Sequence, residues 1–450
     1  MHSPALRIFR REMTRRDFLW LAGMTAQGIA LPSLLAGCAT DPVTGRSSMV
    51  GLSEQDEVAI DRRASPQQFS ADYGPVRDAG LNGYVSGVGS SLWSKSHRPQ
   101  MPYSVRVLNA NHINAYTFPG GSMGVTRAIM LEMDSEDELA GLLGHEIGHV
   151  NARHAAERAG RQQVAGAAVG IAQIGLAVIG LGDAARIAGQ VGQVGASALL
   201  ASYSREDERE ADSLGLEYMT RAGYNADGMV GLMDVLRKES REKPSMIETM
   251  FSSHPMSDER YATARREAEG KYAASRAARI RRERYLDSTA QLRAIKPAIE
   301  AQQRGEAALA RKNLDEATQH FAEALRLAPN DYTGLMLMTK VQLAQKRLVE
   351  AEGYVDRAVA ANPGEPQALG LGGIVKLALK KPELAYQRFE AYDKALPGNP
   401  NATFFKGVAM ESMQNRGQAA RFYAQYLQVV RQGQQAQYAQ QRLQQWGVLK

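Results

Sequence analysis

Residues 142–154 read LLGHEIGHVNARH, and this stretch holds three of the chain's eight histidines. Two of them, His145 and His149, flank Glu146 in the spacing H-E-x-x-H. On a helix, positions i and i+4 share a face, so both imidazoles point to one side and can hold one Zn2+. Glu146 lies one residue round the helix, beside the metal rather than on it. There its carboxylate can take a proton from an attacking water and pass it to a leaving amine. The flanking Leu142, Leu143, Ile147 and Val150 are apolar, as a helix set into a core requires. Working outward, SEDELAGLLGHEIGHVNARHAAERA has its apolar residues at helical spacing and predicts one long helix from near Ser135.

A catalytic zinc needs three protein ligands and an open position. One scheme puts a third histidine six residues after the second, with glycine at plus three. Here those positions are Ala155 and Ala152, and His154 at plus five turns off the metal-facing side. The other scheme takes a glutamate from a later helix. SYSREDEREADSLG, residues 202–215, offers Glu206, Glu208 and Glu210, and only Glu208 has an aspartate, Asp212, four residues on. A carboxylate one turn beyond the ligand can accept the other ring N–H of a zinc-bound histidine and fix its tautomer. The spacing therefore predicts Glu208 as third ligand and Asp212 behind it.

The chain has 450 residues, enough for two or three domains, and a formal net charge of +6. No clustered basic face carries interleaved aromatics, which excludes nucleic acid as a partner. The single cysteine, Cys38, rules out an internal disulfide and a cysteine-based zinc site. Residues 1–37 predict an export signal. Thr14-Arg15-Arg16-Asp17-Phe18-Leu19 resembles a twin-arginine motif, and Leu35-Ala36-Gly37-Cys38 resembles a lipobox. Lipidation at Cys38 would hold the mature chain to a membrane facing the periplasm, and Ala39 after the cysteine points to the outer membrane. The Pro-Gly-Ser stretch that follows reads as a tether, and Ser53 with Asp56 forms a capping-box pattern opening a helix at Glu54. Residues 101–127 predict two or three short strands with a turn at Pro119-Gly120-Gly121. Residues 164–182 carry no charge but are dominated by Ala and Gly, which argues for a glycine-broken helical hairpin at the active site or a membrane surface rather than a span.

The C-terminal third repeats. Ala317, Ala351, Ala385 and Ala419 lie 34 residues apart, as do Phe321, Val355, Phe389 and Tyr423, and Pro329, Pro363 and Pro397. Gly305, Thr339, Gly373 and Gly407 occupy the small position of each first helix. This is the tetratricopeptide (TPR) pattern, in which the small residue lets two helices approach and the aromatic fills the gap. The expected fold is mainly α with a small β-sheet: a gluzincin-like peptidase domain over 38–270, a helical connector over 271–297, four TPR units over 298–433, and a capping helix over 434–450.

HEIGHVNARH, then YSREDEREAD, then FSSHPMSDER together resemble the zinc peptidase family of the CAAX prenyl endopeptidases and their soluble bacterial relatives. Among these are periplasmic members that join a similar peptidase domain to C-terminal TPRs. The resemblance implies zinc on His145, His149 and Glu208, with Glu146 as catalytic base. It implies that His254 can approach the metal, either to gate it or to steady the oxyanion, and it matches Arg205 and Arg260 to family arginines whose role it leaves undefined. It also implies that Asn114, Ala115 and Tyr116, in NAYTFPGG, form a strand edge where an extended substrate adds as a further strand. The expected function is an envelope endopeptidase acting on misfolded or stalled outer-membrane proteins, with the TPRs docking substrate or assembly machinery. The alternative is a TPR chaperone or assembly factor whose peptidase site is mostly shut.

Overall fold

Ser53 opens the first helix as its spacing predicts: its side chain accepts from the Asp56 N–H, and the Asp56 carboxylate accepts from the Ser53 N–H. The computed structural model in which this is seen describes residues 37–40, 42, 43, 45, 47–164 and 202–449. The predicted export signal of residues 1–37, save Gly37, and the uncharged stretch beyond Val164 lie outside the described residues. Among the described residues no helix is long and apolar enough to cross a membrane.

Part of the stretch read as a tether forms strands. Strands β1 (Gly37–Thr40) and β2 (Ser47–Val50) pair antiparallel. The Gly51 N–H then bonds the Ala156 carbonyl at 2.9 Å, tying the hairpin to the main body. Helices α1 (Glu54–Ala71) and α2 (Ala79–Trp93) follow. The predicted strands are three: β3 (Ser104–Leu108), β4 (Ala115–Thr117) and β5 (Ser122–Thr126), in the order β3-β5-β4. β5 runs parallel to β3 and antiparallel to β4, with Tyr116 opposite Gly124. β4 is thus an outer strand, and it packs against the helix that carries the H-E-x-x-H.

That helix, α4 (Glu136–Asn151), comes after the short α3 (Arg127–Glu132), and it stops earlier than its apolar periodicity predicts. Arg153 adopts a left-handed backbone, φ 56°, and a separate helix α5 (His154–Val164) begins. A left-handed non-glycine residue costs roughly 1–2 kcal/mol. Here buried ionic bonds offset it. Arg153 Nε donates to Glu57 Oε1 at 3.1 Å and Nη2 to the Leu52 carbonyl at 2.8 Å. The other oxygen of Glu57 takes Arg98 Nη2 at 2.8 Å, and Arg98 also holds the Val150 carbonyl and the Asn151 side chain. These long-range partners decide the break, and no local spacing announces them.

Helices α6 (Arg205–Arg221), α7 (Asp227–Glu242), α8 (Pro244–Ser253) and α9 (Asp258–Glu269) complete the core around α4. After two short helices, the chain forms four antiparallel pairs. They are α12 (Lys296–Ala310) with α13 (Leu314–Leu327), α14 (Tyr332–Ala344) with α15 (Leu348–Ala361), α16 (Pro366–Ala378) with α17 (Pro382–Ala395), and α18 (Pro400–Ser412) with α19 (Arg416–Val429). α20 (Gln434–Gln445) closes the row. A Cβ at Gly305, Gly373 or Gly407 would collide with Phe321, Phe389 or Tyr423, the aromatic of the same pair. The inner helices α14 and α16 are buried over Tyr332–Leu343 and Pro366–Lys376, because one side packs on the array and the other on the peptidase half.

Candidate metal centre

The site exists because two helices cross at backbone distance. α4 presents Gly144 and Gly148 to Gly215 and Ala211 of α6. A Cβ on Gly148 would stand 2.9 Å from the Ala211 carbonyl oxygen, and one on Gly144 3.0 Å from that of Gly215. This approach brings Glu208, in the first turn of α6, against the two histidines of α4. Ser204 caps α6 and turns its acidic first turn, with Glu208, toward the positive end of the helix.

Four donor atoms, from His145, His149, Glu208 and His254, lie within 4.8 Å of one another. His145 Nε2 is 3.1 Å from His149 Nε2 and 3.3 Å from His254 Nδ1. Glu208 Oε1 is 3.3 Å from His149 Nε2 and 3.0 Å from His254 Nδ1, while Oε2 is 3.6 Å from His145 Nε2. Ligands about 2.0–2.1 Å from a tetrahedral zinc stand about 3.3 Å apart, so these spacings suit one ion. Both carboxylate oxygens of Glu146 are buried without a hydrogen-bond partner, with Oε1 3.8 Å from His254 Nε2. A buried, unpartnered carboxylate is costly unless a bound group uses it. The residues therefore fit a zinc ion with a general base beside it.

The electrostatics agree. Burial pushes the His149 imidazole well below its ordinary pKa, so it is neutral and able to donate a lone pair. Burial works against the Glu208 anion, but His254, His145 and the hydrogen bonds from His149 and His254 outweigh it and hold the carboxyl well down. Burial raises Glu146 above the ordinary carboxylate range, against the pull of His254 and His145. His254 is raised: burial lowers it, but the carboxylates of Glu208 and Glu146 outweigh that.

Asp212 stands where the spacing places it. Its Oδ1 is 2.9 Å from His145 Nδ1. Arg260, from α9, grips both oxygens of Asp212 at 2.7 Å and also reaches Glu208 Oε2 at 2.6 Å. Against the cost of burial, Arg260 holds the Asp212 carboxyl down. Sequence reasoning left Arg260 without a defined place, passed over Tyr203 and set His154 aside from the metal-facing side. Tyr203 stacks on the His149 ring at 3.8 Å, and His154 Nδ1 meets His149 Nδ1 at 2.8 Å. The break at Arg153 swings His154 to that position, so helical spacing alone misplaces it. Arg205 is exposed at the start of α6 and does not join the cluster. Asn114 leads into β4, where Ala115 and Tyr116 are buried and the Tyr116 hydroxyl donates to Asp72 at 2.6 Å. Cys38 lies on β1 opposite Met49.

The description "Peptidase family M48" matches residues 80–268, and "Tetratricopeptide repeat" matches 308–372. The chain is 31% identical over 211 residues to Metalloprotease YcaL of Escherichia coli (strain K12), covering 78% of that protein and 46% of this chain. The chain belongs to peptidase family M48. That family is one of zinc-dependent peptidases, and in this chain a TPR array follows the M48 domain. It is also 29% identical over 252 residues to Beta-barrel assembly-enhancing protease of Yersinia pestis, covering 56% of this chain and 51% of that protein. The protein of that name from Escherichia coli (strain K12) is 27% identical over 251 residues, 55% of this chain and 51% of that one. The chain thus spans about half the length of these two relatives.

Proposed function

We propose that the chain is an endopeptidase of the bacterial cell envelope that holds Zn2+ on His145, His149 and Glu208 and uses Glu146 as general base. The convergence of three donor groups beside the unpartnered Glu146 carboxylate carries this reading. Zinc, when bound, supplies a Lewis acid that polarises the scissile carbonyl. Glu146 takes the proton of the attacking water and delivers it to the leaving amine, a transfer helped by its raised pKa. Asp212 fixes the His145 tautomer, and Arg260 keeps Asp212 and Glu208 anionic and in place. β4, with Asn114 leading into it, receives an extended substrate as an added strand beside α4.

In this reading the catalytic part spans 38–270, the connector 271–297, the TPR units 298–433 and the cap 434–450. The physiological substrates are misfolded or stalled outer-membrane proteins. The array docks them or the assembly machinery, and a lipid on Cys38 holds the enzyme at the outer membrane on the periplasmic side. The names of the two half-length relatives support the substrate class. The second reading, a chaperone with a shut site, draws support from His254 standing as a fourth donor, since four protein ligands make a closed site. Both are tested by incubating the zinc-loaded chain with an unfolded outer-membrane barrel protein and with the same protein folded in detergent. The proposal expects cleavage of the unfolded form only, abolished by a zinc chelator, and faster cleavage by His254→Ala if that residue gates. No cleavage by either enzyme would favour the chaperone, and equal cleavage of the folded barrel would overturn the substrate class.

A further inference from the structure

The junction between array and peptidase is built from buried polar groups, and it closes on the open end of the β4–β5 hairpin. Thr126, the last residue of β5, fixes Asn114 there. Its N–H and its hydroxyl each donate to the Asn114 carbonyl at 3.0 Å, and the Asn114 N–H bonds the same hydroxyl at 3.1 Å. Next along the chain, Arg127 is 1% exposed. Its Nε and Nη2 donate to Asn111 Oδ1 at 3.2 and 2.7 Å, just before β4 begins. The rest of the guanidinium is spent on the array: Nη2 to Gln302 Oε1 and Nη1 to Asp331 Oδ1, at 2.7 and 2.6 Å. Asn111 is gripped from α12 as well. Its Nδ2 donates to Gln302 Oε1 at 3.1 Å and Glu306 Oε2 at 2.9 Å, and its carbonyl accepts from Gln303 at 2.8 Å.

Asp331 serves two structures at once. It is the N-cap of α14, accepting the Gly334 N–H at 2.9 Å, and it takes Gln302 Nε2 of α12 at 2.8 Å. The relative position of α12 and α14 in the array is therefore written into the same hydrogen-bond network that holds Asn111. Among the described residues none of these side chains bonds to the histidine cluster, and the bonds to Asn111 bring the network to the start of the strand. Losing one partner of a buried guanidinium is costly, so the network resists piecemeal rearrangement.

We propose that Arg127 is a positioning residue of the peptidase: with Asn111 and Asp331 it ties the placement of β4 to the geometry of the array, so that a protein bound to the array acts on substrate affinity rather than on turnover. The inference rests on the reading of β4 as the strand that receives substrate. It assigns the array a part in recognition at the cleft itself, beyond docking at a distance.

The test uses the full-length, zinc-loaded chain and two variants. Arg127→Lys keeps the charge facing Asp331 but loses the fork onto Asn111. Gln302→Met leaves the Arg127–Asp331 pair intact and removes one of the three α12 contacts to Asn111, leaving those of Glu306 and Gln303, together with the α12 bond to Asp331. Amide hydrogen exchange over 113–117 is compared with that over 136–151, and KM and kcat are measured on unfolded casein. Arg127→Lys should speed exchange in the strand about tenfold and raise KM about tenfold, with kcat and exchange in α4 nearly unchanged. Gln302→Met should show the same signature, about threefold. Unchanged exchange at 113–117 in both variants would overturn the coupling and leave the network as mere glue between the halves. Faster exchange with an unmoved KM would instead overturn the reading of β4 as the substrate strand, and with it the role given to Arg127.

Discussion

At the residue scale, Asp212 shows how neighbours orient a candidate metal ligand. It faces His145 Nδ1 on one side and Arg260 on the other, so the imidazole is fixed with Nε2 turned to the other donors. Asp212→Asn keeps the shape but weakens both contacts. Zinc affinity, measured by competition with a chromophoric chelator, should fall 10- to 100-fold, within the usual range for such outer partners. An unchanged affinity would leave Asp212 a merely structural group. His145, Glu146 and His149 on α4, and Glu208 and Asp212 on α6, could be read from the sequence because within each helix they stand at i, i+1 or i+4. Arg260, Tyr203 and His154 could not. They reach the cluster from separate elements, and only the folded chain defines those distances.

At the scale of elements, the α4–α6 crossing depends on four small residues. Gly144, Gly148, Ala211 and Gly215 stand beside the polar site positions and the apolar flanks, and the H-E-x-x-H spacing gives these four small residues no role of their own. Gly148→Ala places a methyl against the Ala211 backbone, and the two helices must separate by a few tenths of an ångström. Glu208 then moves off His145 and His149. Helix propensity favours the alanine by about 1 kcal/mol, so a loss of stability or zinc affinity would have to come from the crossing. We expect weaker zinc binding and a lower melting temperature, read by chelator competition and calorimetry. A variant that binds zinc normally and melts higher would show that the crossing is looser than described. The helical repeats of the C-terminal third were fully legible, since a 34-residue period repeats the same contact four times. The end of α4 and the β1–β2 hairpin were not. The first is decided by Glu57, Arg98 and Arg153, far apart in sequence, and the second lies in a Pro-Gly-Ser stretch whose composition resembles a tether.

At the scale of the whole molecule, the array is a fixed partner of the peptidase half, and its inner face is occupied by the chain itself. Tyr73, with φ 64°, packs against the array's core and meets Lys340 Nζ at 2.9 Å. Ser70 donates to Glu365, and a Cβ at Gly74, whose φ is 69°, would press on that carboxylate. Removing the array would expose these polar groups, so the period of the repeats reveals their architecture but not their docking. Burial lifts Glu365 to about 7, against the hydrogen bonds from Ser70 and the Gln367 N–H. The nearby Tyr332 and Tyr392 hydroxyls are raised and do not titrate in this range. A raised carboxyl favours the folded state at low pH. Its contribution is complete below its unfolded value of 4.5 and is lost as pH rises through about 7. The melting temperature of the wild type relative to Glu365→Gln should therefore fall from pH 5 to pH 8, and a flat difference would contradict the burial of that group. The central claim, that His145, His149 and Glu208 hold zinc while Glu146 only moves a proton, is tested most directly by one paired measurement on Glu146→Gln: bound zinc per chain and turnover of an unfolded substrate. The account predicts one zinc per chain, as in the wild type, with turnover down at least about 100-fold. Near-normal turnover, or loss of the metal along with the activity, would contradict it.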